Sequence, residues 1–404
     1  LDVNKVREDY PVLNREINGK KIIYLDSACM SLKPRQVIEK CNEYYYNFPS
    51  CSGRSVHKLA TEATISMDEA RLKMHRFLNS KQPTEIIFLL NATEGINLVA
   101  NSFKFQVNDR VLITDREHNS NLVPWLQQTK QRGIKLDVVP SKDDNTFDLE
   151  KFEEMMDESV KLVSMVHTSN LDGTSIPAKE IIKITHDHGA LVMLDGAQSA
   201  PHKKIDVQEL DVDFFVLSVH KMCGPTGVGV LYGKYELLDN LNPYIVGGST
   251  VKSSTYDKIE FLAPPERFEA GLQNYAGIIG SGAAVEYLMD IGMEEIEEHD
   301  INLNKIMTRE LANHPDISMI GPKDANLRGC VFSFNIPGIE SHDVAMILDE
   351  MNNIMIRSGM QCVHSWYNNN NLRGSARASV YLYNNELEMK IFTENVIKLI
   401  ENFK

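Results

Sequence analysis

The sequence is short of positive charge: 42 lysines and arginines stand against 56 acidic residues, a formal charge of −14. A surface that acidic repels phosphate backbones and anionic headgroups, so neither a nucleic acid nor a membrane is expected as its partner. Long apolar runs are missing as well. No stretch approaches the roughly 18 consecutive apolar residues of a membrane span, and the opening Leu1-Asp2-Val3-Asn4-Lys5 has no signal-peptide core, so a soluble, cytoplasmic protein is expected. Cysteine is sparse and unpatterned. Cys29, Cys41, Cys51, Cys223, Cys330 and Cys362 include no Cys-x-x-Cys pair, which argues against a disulfide framework or a zinc cluster and for free thiols in a reducing compartment. No metal site is expected, and there is no internal repeat.

What is present is enough apolar material, 43% of 404 residues, for about two domains. Strand-like apolar runs at 22–25, 85–90, 111–114, 135–139, 161–166, 190–194, 214–218 and 228–232 alternate with helical patterns. That alternation predicts a mainly parallel sheet covered by helices on both faces, with ligands bound beyond the carboxyl ends of the strands. A helical pattern around 282–288 leads out of this region, followed by an amphipathic helix at 293–311. Strand-like runs near 330–335, 353–357 and 376–383 and a closing helix at 386–403 then predict a smaller α+β unit. The run Asn368-Asn369-Asn370-Asn371 reads as a solvated, mobile loop.

Two strand ends carry chemistry. Ser218-Val219-His220-Lys221 closes a buried run just before Gly224-Pro225-Thr226-Gly227-Val228-Gly229, which delivers a lysine beside a loop whose backbone can approach a ligand closely. Another buried run ends in Asp195-Gly196-Ala197-Gln198, with its acid 26 residues before that lysine. Pyridoxal phosphate chemistry needs this pair: a lysine to hold the cofactor as a Schiff base, and an aspartate to keep the pyridine nitrogen protonated.

These segments resemble the class V aminotransferase group of fold-type I pyridoxal phosphate enzymes. Arg357-Ser358-Gly359-Met360-Gln361-Cys362 is similar to the Arg-x-Gly-x-x-Cys segment of SUF-type (group II) cysteine desulfurases. Thr93-Glu94-Gly95-Ile96-Asn97, Glu117-His118, Arg267-Phe268-Glu269-Ala270-Gly271 and Arg377-Ala378-Ser379 also match that group, in order along the chain. The resemblance implies an α/β fold whose large domain, 18–289, holds a mainly parallel seven-stranded sheet, and a small α+β domain made of 1–17 and 290–404. It implies pyridoxal 5'-phosphate as cofactor, L-cysteine as substrate, a homodimer, and a sulfur-acceptor or scaffold protein in iron–sulfur cluster assembly.

It also implies roles. Lys221 would hold the cofactor and move protons at the substrate Cα, with Asp195 on the ring nitrogen, Gln198 on the ring oxygen and His118 stacked on the ring. Thr93, Ser218 and His220 would surround the phosphate; Thr93 sits at what reads as a helix N-terminus, where phosphate donors gather. Asn170, Arg357 and Arg377 would face the substrate, the planar guanidinium of Arg377 suiting a carboxylate. Cys362 would take the sulfur as a persulfide, activated by His364 or Arg357.

Several positions depart from the pattern. Met360 and Gln361 replace two histidines before the cysteine, Asn119 replaces a second histidine after His118, and Leu272 replaces a threonine that reaches the partner subunit's phosphate. Cys223, in place of an aromatic, is expected to be a second thiol near the cofactor or a packing residue, and Cys29 a packing residue. Selenocysteine lyase, cysteine sulfinate desulfinase, a class V aminotransferase or kynureninase-like enzyme with Cys362 incidental, and a non-catalytic sulfur carrier remain the alternatives.

Overall fold

The computed structural model describes residues 1–403. Its centre is a seven-stranded sheet in the spatial order Ile86–Leu89, Gly229–Gly233, Phe214–Ser218, Leu191–Asp195, Val160–Val166, Arg110–Thr114, Lys135–Val139. The last five are mutually parallel, whereas Gly229–Gly233 runs antiparallel to both its neighbours. Strands covered on both faces need no polar alternation. Accordingly Ile86–Leu89, Phe214–Ser218 and Gly229–Gly233 are buried at every residue, and this explains why their apolar runs stand out in the sequence.

Seven of the eight expected runs form this sheet; the run at 22–25 does not. Ile23–Tyr24 pairs in parallel with Ile354–Met355 instead, and Ile23 and Leu25 pack into a second core with Leu303, Phe332, Phe334 and Phe392. A two-residue strand of branched residues satisfies either sheet, and only the tertiary position of Ile354 decides between them.

After the helix Tyr275–Ile291 and the helix Met293–Leu311 comes a four-stranded antiparallel sheet, ordered Ser318–Ile320, Val331–Asn335, Ser375–Ser379, Arg357–Gly359. The expected strand at 376–383 stops at Ser379, because Tyr381 and Tyr383 turn away to pack in the larger core. Asn368 and Asn369 are solvated as expected but close the short helix His364–Asn369 rather than a loop. The closing helix, Glu386–Asn402, starts on a capping box in which the Asn385 side chain accepts from the Glu388 N–H and Glu388 reaches back to Asn385. Near the N-terminus Val6, Tyr10 and Leu13 pack with the large sheet's core, while Arg7 donates to the Tyr383 carbonyl and to Glu388, at 2.6 and 2.8 Å. Among the described residues no helix is long and apolar enough to cross a membrane.

Candidate active site

The carboxyl ends of the large sheet's strands and the edge of the small sheet enclose a cavity of about 260 Å³. Its walls include Thr93, His118, Asn170, Asp195, Gln198, Ser218, His220, Lys221, Arg357, Cys362 and Arg377, so the residues singled out from the sequence for binding or catalysis, His364 excepted, meet at one place.

The floor comes from two adjacent strands. Asp195 ends one of them, almost wholly buried, with Oδ1 accepting from the Ala197 N–H at 3.0 Å. Burial pushes its carboxyl up, against the pull of the Ala197 N–H and the Lys221 ammonium. Lys221 lies in the single turn Val219–Lys221 after the neighbouring strand, and its Nζ donates to Gln198 Oε1 at 3.2 Å. Burial lowers its pKa, opposed by Asp195, so the site favours the neutral, nucleophilic amine relative to water. The His220 carbonyl is held by Ser31 and Lys33, and its ring is lowered to about 4 by burial and by the charges of Lys221 and Lys33.

One wall is a helix start. Asn91 caps the helix Ala92–Ser102 by accepting from the Glu94 N–H, and the Ala92 N–H donates to Ser218 Oγ at 2.9 Å. Gly229 makes this junction possible: a Cβ there would lie 2.4 Å from the Cα of Asn91. Thr93, exposed to the cavity, shares a 2.7 Å hydrogen bond with Ser120. His118 caps the next helix, Asn119–Arg132, its Nδ1 accepting from the Ser120 N–H at 3.1 Å. That bond leaves Nδ1 unprotonated, and burial with Lys221, Arg377 and His364 nearby takes the ring down to about 3.

The opposite wall is the small sheet, where Arg357 and Arg377 are cross-strand partners. Arg377, 2% exposed, donates to the Asn170 carbonyl at 2.9 Å and to Asp26 Oδ1 at 3.3 Å, while its Nε is buried without a partner. The Asn170 side chain donates to the Gln361 carbonyl at 2.7 Å, and the turn after it is anchored by a buried Arg116–Asp172 pair at 3.1 Å. Cys362 and Gln361 both hold left-handed backbone, φ 59° and 50°, a conformation costly for residues with a Cβ that turns the thiol's segment sharply here. Gln361 uses its amide to tie down the Gly359 and Ser375 carbonyls, so in place of a histidine it braces the loop. The two expected activators of Cys362 are engaged elsewhere: His364 Nδ1 pairs with the Asn119 side chain at 2.9 Å, and Arg357 donates to Cys29 Sγ at 3.2 Å.

A class-V aminotransferase family model matches residues 23–392. The chain belongs to the class-V aminotransferase family. It is 40% identical over 402 residues to a probable cysteine desulfurase of Synechocystis, covering 98% of this chain and 96% of that one. It is also 40% identical over 406 residues to a probable cysteine desulfurase of Halalkalibacterium halodurans, covering 100% and 99%. The solved cysteine desulfurase of Thermococcus onnurineus superposes with a TM-score of 0.94 at 35% identity, over 99% of this chain and 98% of that one.

The class-V site fits pyridoxal 5'-phosphate on its own residues. A buried carboxylate lies across from a buried amine, a helix start offers N–H groups and hydroxyls to a phosphate, and Gln198 Nε2 is a buried donor with no protein partner, as a ring oxygen would require. Of its two expected roles, Cys223 takes the packing one. It does not line the cavity; it is fully buried, hydrogen-bonded to Tyr10 at 3.2 Å, and burial raises its thiol to about 11. Cys29 corrects an expectation: read as a packing residue, it lines the cavity that Cys362 also lines. Ser120, Thr168 and Asn91 also line the class-V cavity and were not legible, since nothing local distinguishes them from ordinary helix-start and turn residues.

Proposed function

We propose that this chain is a pyridoxal 5'-phosphate-dependent cysteine desulfurase that takes sulfur from L-cysteine, leaves L-alanine and carries the sulfur as a persulfide on Cys362. The observation that carries the reading is a cysteine held in strained backbone in the same cavity as the Lys221–Asp195 pair and the unpartnered Nε of Arg377. Cysteine desulfurases align with the chain end to end, which supports it.

When bound, the cofactor supplies an electron sink that labilises the bonds at the substrate Cα. Lys221, its Nζ at Gln198 Oε1, would hold the cofactor and move protons at the substrate Cα. Asp195 would keep the ring nitrogen protonated, and the unpaired Gln198 Nε2 would donate to the ring oxygen. His118, neutral at physiological pH, would face the ring without bringing a second positive charge to it. Thr93, Ser218 and His220 would hold the phosphate. Arg377 clamps the substrate carboxylate, oriented by Asn170 and Asp26, with Arg357 above it. The Cys362 thiolate would then attack the substrate sulfur: the new S–S bond forms as the substrate Cβ–S bond breaks, and its electron pair stays with Cβ, which takes a proton to become the methyl of alanine.

The division into a large domain, 18–289, and a small one, 1–17 with 290–404, belongs to this reading. So does a homodimer: Tyr244, Ile245, Val246 and Leu272 are exposed apolar side chains, and Ile245 and Leu272 line a second cavity with Gln273 and Asn274. Leu272 contributes apolar contact there, and the neighbouring amides are left to reach the partner's phosphate. Sedimentation is expected to give a dimer; an active monomer would refute that part. A sulfur-acceptor protein of iron–sulfur cluster assembly, in the cytoplasm, is the proposed destination of the sulfur.

The test is peptide mass spectrometry and alanine release after brief exposure to L-cysteine. Wild type is expected to gain sulfur on Cys362 and release alanine, and Cys362→Ala to retain the cofactor and its yellow colour but release no sulfur. Full desulfuration by Cys362→Ala would sink the assignment.

A further inference from the structure

Six thiols are free in this chain, and two of them, Cys29 and Cys362, line the same cavity. The others are placed differently. Cys223 is sealed beneath Tyr10, Cys330 is buried in the small-sheet core, and Cys41 and Cys51 lie outside the cavity wall. Cys29 comes at the end of a turn in which its N–H donates to the Asp26 carbonyl at 3.1 Å, and Asp26 bridges to Ser379 at the end of the Arg377 strand. The thiol is thereby built into the substrate wall: Arg357 donates to Cys29 Sγ at 3.2 Å, and the same Asp26 accepts from Arg377 at 3.3 Å. Within this wall Arg377, 98% buried by its 2% exposure, leaves Nε without a protein partner, so the wall is made to receive a ligand as well as to pack.

Cys330, by contrast, is buried in the small-sheet core and paired with the His202 ring, away from the cavity. Cys29 lines the cavity and accepts a hydrogen bond from the Arg357 guanidinium, so its sulfur meets both the open space and a fixed cation. Lys221, Cys29 and Cys362 all line the one cavity.

Resting on the desulfurase reading above, we infer that Cys29 is a second sulfur acceptor, taking the sulfane sulfur from Cys362. The Cys29 thiolate attacks the outer sulfur of the Cys362 persulfide; a Cys29–sulfur bond forms, the bond between that sulfur and Cys362 breaks, and the Cys362 thiolate leaves with its electron pair. The proton of the persulfide stays on the transferred sulfur, so no oxidant or reductant is consumed. Arg357 sits at the attacking sulfur before transfer and at the inner sulfur afterwards. Cys362 is then free for another cysteine while the first sulfur is retained, and a chain loaded without an acceptor holds two sulfurs.

The holoenzyme is exposed to L-cysteine without reductant, trapped with an alkylating reagent that preserves persulfides, digested and mapped by mass spectrometry. Wild type is expected to carry one added sulfur on the Cys29 peptide and one on the Cys362 peptide. Cys29→Ser is expected to carry sulfur on Cys362 alone, halving the count, and Cys362→Ala to carry none on Cys29. Sulfur confined to Cys362 in wild type overturns the relay and leaves the desulfurase reading standing. Sulfur on Cys29 in Cys362→Ala overturns the relay by showing direct capture, and sulfur on neither peptide in wild type overturns both readings.

Discussion

Replacing Arg377 by lysine separates charge from geometry at the substrate wall. Arg377 spends one terminal nitrogen on the Asn170 carbonyl and the other on Asp26, and keeps Nε unpaired in the cavity. Lysine preserves the positive charge, so the partly buried Asp26 carboxylate, already pushed up by desolvation and held down chiefly by Arg377, keeps its nearer cation. An alanine there would leave it only Arg357, at 4.0 Å, and breaking a buried pair costs up to about 3–5 kcal/mol of stability. The lysine variant is therefore expected to fold. It cannot serve Asn170, Asp26 and a substrate carboxylate from one ammonium in a planar fork. Loss of a hydrogen bond to a charged group is worth about 1.5–3 kcal/mol, which corresponds to a roughly 10- to 100-fold fall in kcat/KM. Because the carboxylate is bound alike in ground and transition states, the loss is expected mainly in KM. Steady-state alanine production at varied L-cysteine measures it, with cofactor absorbance and thermal midpoint as controls for folding. A kcat/KM within about twofold of wild type, with the cofactor normally bound, would refute the assignment of Arg377 to the substrate.

Asp195→Asn is expected to keep the cofactor but lower kcat by roughly 100- to 1,000-fold, the usual cost of removing one preorganised electrostatic partner, since an amide cannot balance a charged ring nitrogen; near-normal turnover would mean that another group holds that proton. Glu117, fully enclosed between Thr114, Asn121 and the Val166 N–H, is raised from 4.5 to about 7 by burial. Its folded pKa lies above the unfolded one, so the native state is favoured while the group is protonated and loses up to about 3 kcal/mol as pH rises from 4.5 through 7. Glu117→Gln is expected to remove that slope, and chemical unfolding of both proteins at pH 5 and pH 8 would contradict it if their stability difference stayed constant.

Much of this site was readable because its chemistry sits where apolar strands stop. Asp195 and Ser218 each end a largely buried run and Lys221 follows one, and such runs announce themselves without alternation. The small sheet was harder. Arg357 and Arg377 are recognisable only as motif members, and their meeting across strands depends on a register that no local pattern encodes. Cys29 shows the limit most clearly: its neighbours Ala28 and Met30 are bland, and the guanidinium that gives it a role lies 328 positions away in the chain. Gln361 was legible as a missing histidine but not as a brace, because its partners are backbone carbonyls brought in by folding.

The hydrogen bond from the Asn119 N–H to the Cys362 carbonyl, 2.7 Å long, joins two parts of the molecule usually considered separately. Asn119 is the first residue of the helix that His118 caps, so any stroke of Cys362 toward substrate either parts this bond or tows the helix start with it. Cys362 and the His118 ring are thus geared together. A substitution that loosens one is expected to shift the other.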